Sequence, residues 1–198
     1  MGGGLGDHRS AAISDQGIEL QVTSGGGIET AWAEIVSAFE ARRDWIQIRE
    51  KTAAASELFE LCRRARQLSG TTKIILNDRF DLALAARLDG VHLPGNGLPL
   101  ERVRAAAGRN FLVGISCHSV AEVAAAQSAD YCLLGPIFDT PEKRRFGAPL
   151  GLGNLKSAVA LGGPPVLAIG GVNAGNRKAC REAGAAGVAG IRLFASVV

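Results

Sequence analysis

Eight short apolar runs, separated by Ala-rich amphipathic stretches along 198 residues, predict one (β/α)8 TIM barrel. The runs are almost continuously apolar, as in strands buried on both faces of a parallel sheet. Polar and glycine residues gather just after the runs, where a barrel builds its active site. Such barrels usually need about 200 to 250 residues, so this one is expected to be trimmed at its termini.

The first strand is expected at 18–23 (IELQVT), before a helix over 28–43 whose Ile28, Trp32, Ile35 and Phe39 share one stripe. WIQIR (45–49) is the second strand, and the helix after it, over 55–68, carries Leu58, Leu61 and Leu68 with Ser56 as its cap. KIIL (73–76) leads into a helix over 78–88, and GVHL (90–93) into one over 98–107. FLVGI (111–115) precedes a helix over 119–128, where Ser119 and Glu122 have capping-box spacing. YCLLG (131–135) and VLAIG (166–170) are followed by helices over 153–160 and 173–183, the latter closed by Gly184. GVAGI (187–191) is the eighth strand, and the short tail after it leaves the last helix missing or very short. An open doubly wound sheet is the rival architecture, but Gly25–Gly27 lacks the GxGxxG spacing expected after its first strand. Residues 1–16 read as a flexible leader without the apolar core of a secretory signal, and 17–198 as a single domain.

Composition narrows the partners. Aromatic residues are only 5%, too few for stacking on nucleic acid, and a net charge of +3 suits a small anionic ligand better than DNA. No apolar run reaches the roughly 20 residues that span a bilayer, so no membrane partner is expected. Cys62, Cys117, Cys132 and Cys180 form no CxxC pair and read as reduced, buried thiols of a cytoplasmic protein. A homodimer is compatible with a barrel of this size.

The strand ends supply the candidate chemistry. Arg49 and Lys51 follow the second strand, Asn77 and Asp78 the third, Ser116 and His118 the fifth, and Thr140 and Lys143 the sixth. Gly170, Gly171 and Gly190 close the seventh and eighth, where barrels commonly bind phosphate through bare backbone amides. Arg49, Lys51 and Lys143 would add positive charge across the pocket. His118 is placed to exchange protons near neutral pH, whereas His92, inside an apolar strand, reads as a buried histidine satisfied by hydrogen bonds.

WIQIREK (45–51), LNDR (76–79), DGVHL (89–93), GISCHS (114–119), ADYCLLGPIFDTPEK (129–143) and LAIGGV (167–172) stand in the order and spacing of a known family. The chain resembles the thiamine phosphate synthase/TenI family from residue 45 to about 191. The resemblance implies a (β/α)8 barrel acting in thiamine biosynthesis. It implies that Gln47, Arg49, Lys51, Asn77 and Lys143 bind the pyrophosphate of an aminopyrimidine substrate, that Asp78 helps hold Mg2+, and that Gly171 and Gly190 hold thiazole phosphate. Two segments depart from the family pattern. The VHL strand is followed by Pro94-Gly95-Asn96-Gly97, without the second magnesium carboxylate of the synthases, and LQVTSGGG lacks the usual first-loop aspartate.

The departure at residues 94–97 points to a TenI-like thiazole tautomerase, which shifts a proton so that a carboxythiazole phosphate becomes aromatic. His118 matches the catalytic histidine of that branch, Ser116 would assist it, and no cofactor is required. The alternatives are a thiamine phosphate synthase using Mg2+, and a non-catalytic regulatory protein that binds thiazole or thiamine phosphates. In every case the partner is a small phosphorylated heterocycle.

Overall fold

The computed structural model describes residues 17–140 and 148–194. The leader expected over 1–16, Lys143 and the last four positions of the chain lie outside the described residues. The strands are β1 (Ile18–Val22), β2 (Trp45–Ile48), β3 (Lys73–Asn77), β4 (Gly90–Leu93), β5 (Leu112–Cys117), β6 (Tyr131–Leu134), β7 (Val166–Ala168) and β8 (Gly187–Gly190). Every neighbouring pair is parallel, and β8 returns to β1 with Ile18 opposite Gly187, which closes the barrel in sequence order. The helices are α1 (Ile28–Glu40), α2 (Ala55–Ala65), α3 (Phe80–Ala85), α4 (Leu100–Ala107), α5 (Val120–Ala125), α6 (Gly151–Ala160) and α7 (Arg177–Glu182). No helix follows β8 among the described residues. None of these helices is long and apolar enough to cross a membrane.

Strand alternation sorts each strand into two faces. Outward residues such as Ile46, Ile74, Val91 and Val113 pack under α1 to α4, and Cys132, Leu134 and Val188 pack with α5 to α7. Inward residues Leu20, Ile75, Tyr131, Leu133, Leu167 and Ala189 fill the barrel. Tyr131 fits because Gly114 faces it: a Cβ there would lie 2.0 Å from the phenol Cζ. The four thiols are free and buried as expected, and burial pushes the Cys62 thiol up to about 12.

Several helices are shorter than their patterns. α1 stops before Arg42 and α3 before Arg87, both of which take left-handed φ values, 51° and 55°. Ser56 lies inside α2, and the cap is Ala54, whose N–H donates to the Glu57 carboxylate at 3.1 Å. Gly184 does terminate α7, with φ 95° and a bond from its N–H to the Arg181 carbonyl.

A two-strand repeat holds the amino-terminal end of the barrel. Asp44, Asp89 and Asp130 directly precede β2, β4 and β6. Each carboxylate accepts a backbone N–H at the start of the preceding strand: Glu19 at 2.8 Å, Ile74 at 2.8 Å and Val113 at 2.7 Å. Without Asp130 the buried Val113 donor loses its partner. Asp130→Ala is therefore expected to destabilise the protein by about 1–3 kcal/mol, read as a lower urea midpoint; an unchanged midpoint would remove this role.

Candidate active site

The inward positions turn polar toward the carboxyl end of the barrel. Trp45, at the base of β2, packs its ring against Tyr131 at 4.9 Å. Two residues along, Gln47 donates from Nε2 to Asn77 Oδ1 at 3.0 Å, joining β2 to β3. Gln47 is buried, and its Oε1 has no hydrogen-bond partner among the described residues. Because Asn77 accepts through Oδ1, its own amide N–H groups remain as donors at the strand tip.

Arg49 and Lys51 extend from the same strand. Their loop is held by Glu50, a buried carboxylate between the two cations. Glu50 accepts from Thr23 Oγ1 at 2.8 Å and from the Gly27 N–H at 3.0 Å, and Thr23 Oγ1 accepts from the Arg49 N–H at 2.8 Å. The start of α1 is therefore occupied by a carboxylate of the chain itself. Sequence reasoning passed over Glu50; the only signal was an acid embedded in a strand-end motif between two bases. Lys51 is exposed, and Arg49 is half-buried with its charge felt at His92.

His92 is the buried, satisfied histidine that its setting predicts. It is 1% exposed, with Nδ1 3.2 Å from the Tyr131 hydroxyl and Nε2 2.8 Å from Ser116 Oγ. Burial, helped by the Arg49 charge, lowers its pKa to about 3, so the ring is neutral at ordinary pH. Its carbonyl accepts from the Asp78 N–H at 2.8 Å, and Asp78 turns out to the rim with φ 66°.

His118 stands two residues beyond Ser116 and is exposed. Its Nδ1 lies 2.7 Å from the Gly135 carbonyl oxygen, which can only accept, so Nδ1 carries a proton. In the neutral ring Nε2 is then a lone-pair base. The capping pair works differently from the reciprocal box: Ser119 Oγ accepts from the Glu122 N–H at 3.1 Å, while the Glu122 carboxylate takes the His118 N–H at 2.8 Å. That bond fixes the backbone of the histidine.

On the far side, Gly170 and Gly171 have φ values of 87° and 67°. A Cβ at Gly170 would meet Pro136 Cα at 2.6 Å, and one at Gly171 would meet the Asp139 carbonyl at 2.8 Å. Close approach of the loop after β6 is thus a reason for both glycines, besides any ligand. Their carbonyls are turned into the protein, accepting from the Phe138 N–H at 2.9 Å and from Asn176 Nδ2 at 2.9 Å. Gly190 ends β8 beside them, and the buried Thr140 Oγ1 has no partner among the described residues.

Contacts therefore run round the rim from one strand tip to the next. Gln47 reaches Asn77, Asp78 reaches His92, His92 reaches Ser116, His118 reaches Gly135, and Phe138 reaches Gly170. All the candidate residues among those described lie on this one face. No group of three or more His, Cys, Asp or Glu placed to hold a metal occurs among the described residues.

Known proteins are similar to this chain in sequence and in fold. The family model described as thiamine monophosphate synthase matches residues 20–194. A thiamine-phosphate synthase of Methanospirillum hungatei is 39% identical over 148 residues, covering 73% of this chain and 72% of that protein. One from Chloroflexus aurantiacus is 35% identical over 185 residues, covering 92% and 83%. Among solved structures, the thiamine phosphate pyrophosphorylase of Pyrococcus furiosus superposes with a TM-score of 0.78 at 29% identity, covering 91% of this chain and 89% of that one. The family match over most of the chain, these relatives and the shared fold agree: the chain belongs to the thiamine monophosphate synthase family of thiamine-biosynthesis enzymes.

Proposed function

We propose that the protein is a thiamine-phosphate synthase, which joins an aminopyrimidine diphosphate to thiazole phosphate and releases pyrophosphate. The observation that carries this reading is the intact β2–β3 half of the rim, where Gln47 pairs with Asn77 below Arg49 and beside Asp78. A tautomerase has no pyrophosphate to hold and no need of this set. The named relatives favour the synthase over the tautomerase in the same direction.

The reaction breaks the C–O bond between the pyrimidine methylene and the diphosphate and forms a C–N bond to the thiazole nitrogen. Charge gathers on the departing oxygen, so fixed donors and cations aimed there lower the barrier. Arg49, Lys51, Lys143 and the Asn77 amide are the groups of this chain suited to that task. Gln47 suits another one. Its amide nitrogen is committed to Asn77, and the oxygen left over is an acceptor, matched to the amino group of the pyrimidine rather than to a pyrophosphate oxygen. The amides around Gly171 and Gly190 would take the thiazole phosphate.

The site fits Mg2+ at the low end of what the ion requires. Magnesium commonly uses one or two carboxylates together with substrate phosphates. Asp78 is a rim carboxylate with no salt-bridge partner among the described residues, whereas residues 94–97 supply none. Asp78 would hold the ion, which when bound neutralises charge on the diphosphate. The test is magnesium-dependent release of pyrophosphate from the two substrates by the purified protein; no release at any magnesium concentration sinks the proposal.

The same carboxylate-free loop favours a second reading, the TenI-like tautomerase, in which the Nε2 lone pair of His118 moves the proton. Aromatisation of carboxythiazole phosphate without magnesium or pyrimidine, abolished in His118→Asn, would establish it. Binding of thiazole phosphate with turnover in neither assay would leave the regulatory reading.

A further inference from the structure

We infer that Tyr131 and His92 form a one-way hydrogen-bond chain that holds the Ser116 hydroxyl as a donor into the pocket, reserving that position for a phosphoryl or carboxylate oxygen of the substrate. The inference rests on the reading of the rim as the substrate site, and it assigns two buried positioning residues to that site.

The direction of the chain follows from its buried end. Tyr131 is fully buried, with the Trp45 ring against it at 4.9 Å and Gly114 facing its phenol. Its hydroxyl has one partner among the described residues, Nδ1 of His92. A phenolic O–H in an apolar interior is costly to leave unpaired, so it donates to Nδ1. A neutral imidazole that accepts at Nδ1 carries its proton on Nε2. Nε2–H therefore donates to Ser116 Oγ at 2.8 Å. The serine has accepted, and its own proton has no acceptor among the described residues, so it is directed at whatever enters. The reverse arrangement would leave the Tyr131 proton stranded beside Trp45. It would also turn a serine lone pair toward the pocket, where an anionic oxygen would be repelled.

The unusual element is that the histidine does not act as a base. It transmits the polarity of a buried phenol to a hydroxyl at the substrate. Neither Tyr131 nor His92 need touch the ligand.

The direct test is nitrogen NMR of the ligand-free full chain labelled with 15N-histidine, with His92 identified by removing the other signals in His8→Gln and His118→Asn. A protonated, pyrrole-type Nε2 and a bare, pyridine-type Nδ1 are expected; the opposite tautomer overturns the inference. This measurement needs no turnover, so it stands apart from success or failure of the synthase assay. In that assay Ser116→Ala should lower kcat/KM for the diphosphate substrate by about 10- to 100-fold, the usual scale for a hydrogen bond to a charged group. His92→Leu should lose a similar factor, His92→Gln, whose amide nitrogen stands near the place of Nε2, should recover most of it, and His92→Leu should add nothing in the Ser116→Ala background. Fully multiplicative losses in the double variant would mean that His92 acts only on the fold.

Discussion

Replacing Arg49 by Met is expected to lower kcat/KM for pyrophosphate release by about two to three orders of magnitude, the cost of removing a charged donor aimed at a developing anion. The guanidinium sits at the tip of β2, half-buried, with no carboxylate partner among the described residues. Its backbone is tied down: the Arg49 N–H donates to Thr23 Oγ1, and Thr23 donates to the buried Glu50. A cation held in this way without a counter-ion is poised for an anionic ligand. Arg49→Lys keeps the charge but loses the planar fork, so it should fall between the two. Because no ion pair is broken, thermal stability should stay near that of the parent protein. A Met variant with unimpaired kcat/KM would remove Arg49 from the site.

The strands were easy to find in the sequence because the barrel buries both of their faces. WIQI alternates Trp45 and Gln47 inward with Ile46 and Ile48 outward, and no solvent face interrupts the apolar run. The rim residues were legible for a related reason: a buried strand can become polar only where it ends. What stayed hidden depends on distance along the chain. His92 could be read as satisfied, but its partners lie 24 and 39 residues away. The aspartates at 44, 89 and 130 look like ordinary loop acids until pairing brings each beside the N–H of the second residue of the preceding strand. Left-handed turns at Arg42, Asp78 and Arg87 carry no glycine to mark them, so α1 and α3 came out too long. Gly170 and Gly171 were noticed for a ligand, yet each also admits the loop after β6, a packing demand that strand-end glycines do not announce.

The neutral histidine at the centre of the rim has a second measurable consequence, a loss of stability in mild acid. An unfolded histidine takes up a proton near pH 6.5, whereas folded His92 resists protonation down to about 3. Below 6.5 the unfolded state therefore binds a proton that the native state refuses, and stability falls as the pH drops. The full contribution is present above about pH 6.5 and is progressively lost toward pH 3, amounting to about 5 kcal/mol across that window and about 2 kcal/mol between pH 7 and pH 5. Burial is the leading cause and Arg49 the second, so Arg49→Met should shrink the effect only in part. Carboxylates contribute their own acid limb, which the comparison must remove. Urea unfolding of the parent and of His92→Gln at pH 7, 6 and 5 does so, since the variant keeps every carboxylate and lacks only the imidazole. The parent should lose stability faster, by a difference that grows with each step down in pH. Parallel curves would mean that His92 takes up its proton as readily in the folded state as in the unfolded one, and an imidazolium, a donor at both nitrogens, could not accept from Tyr131.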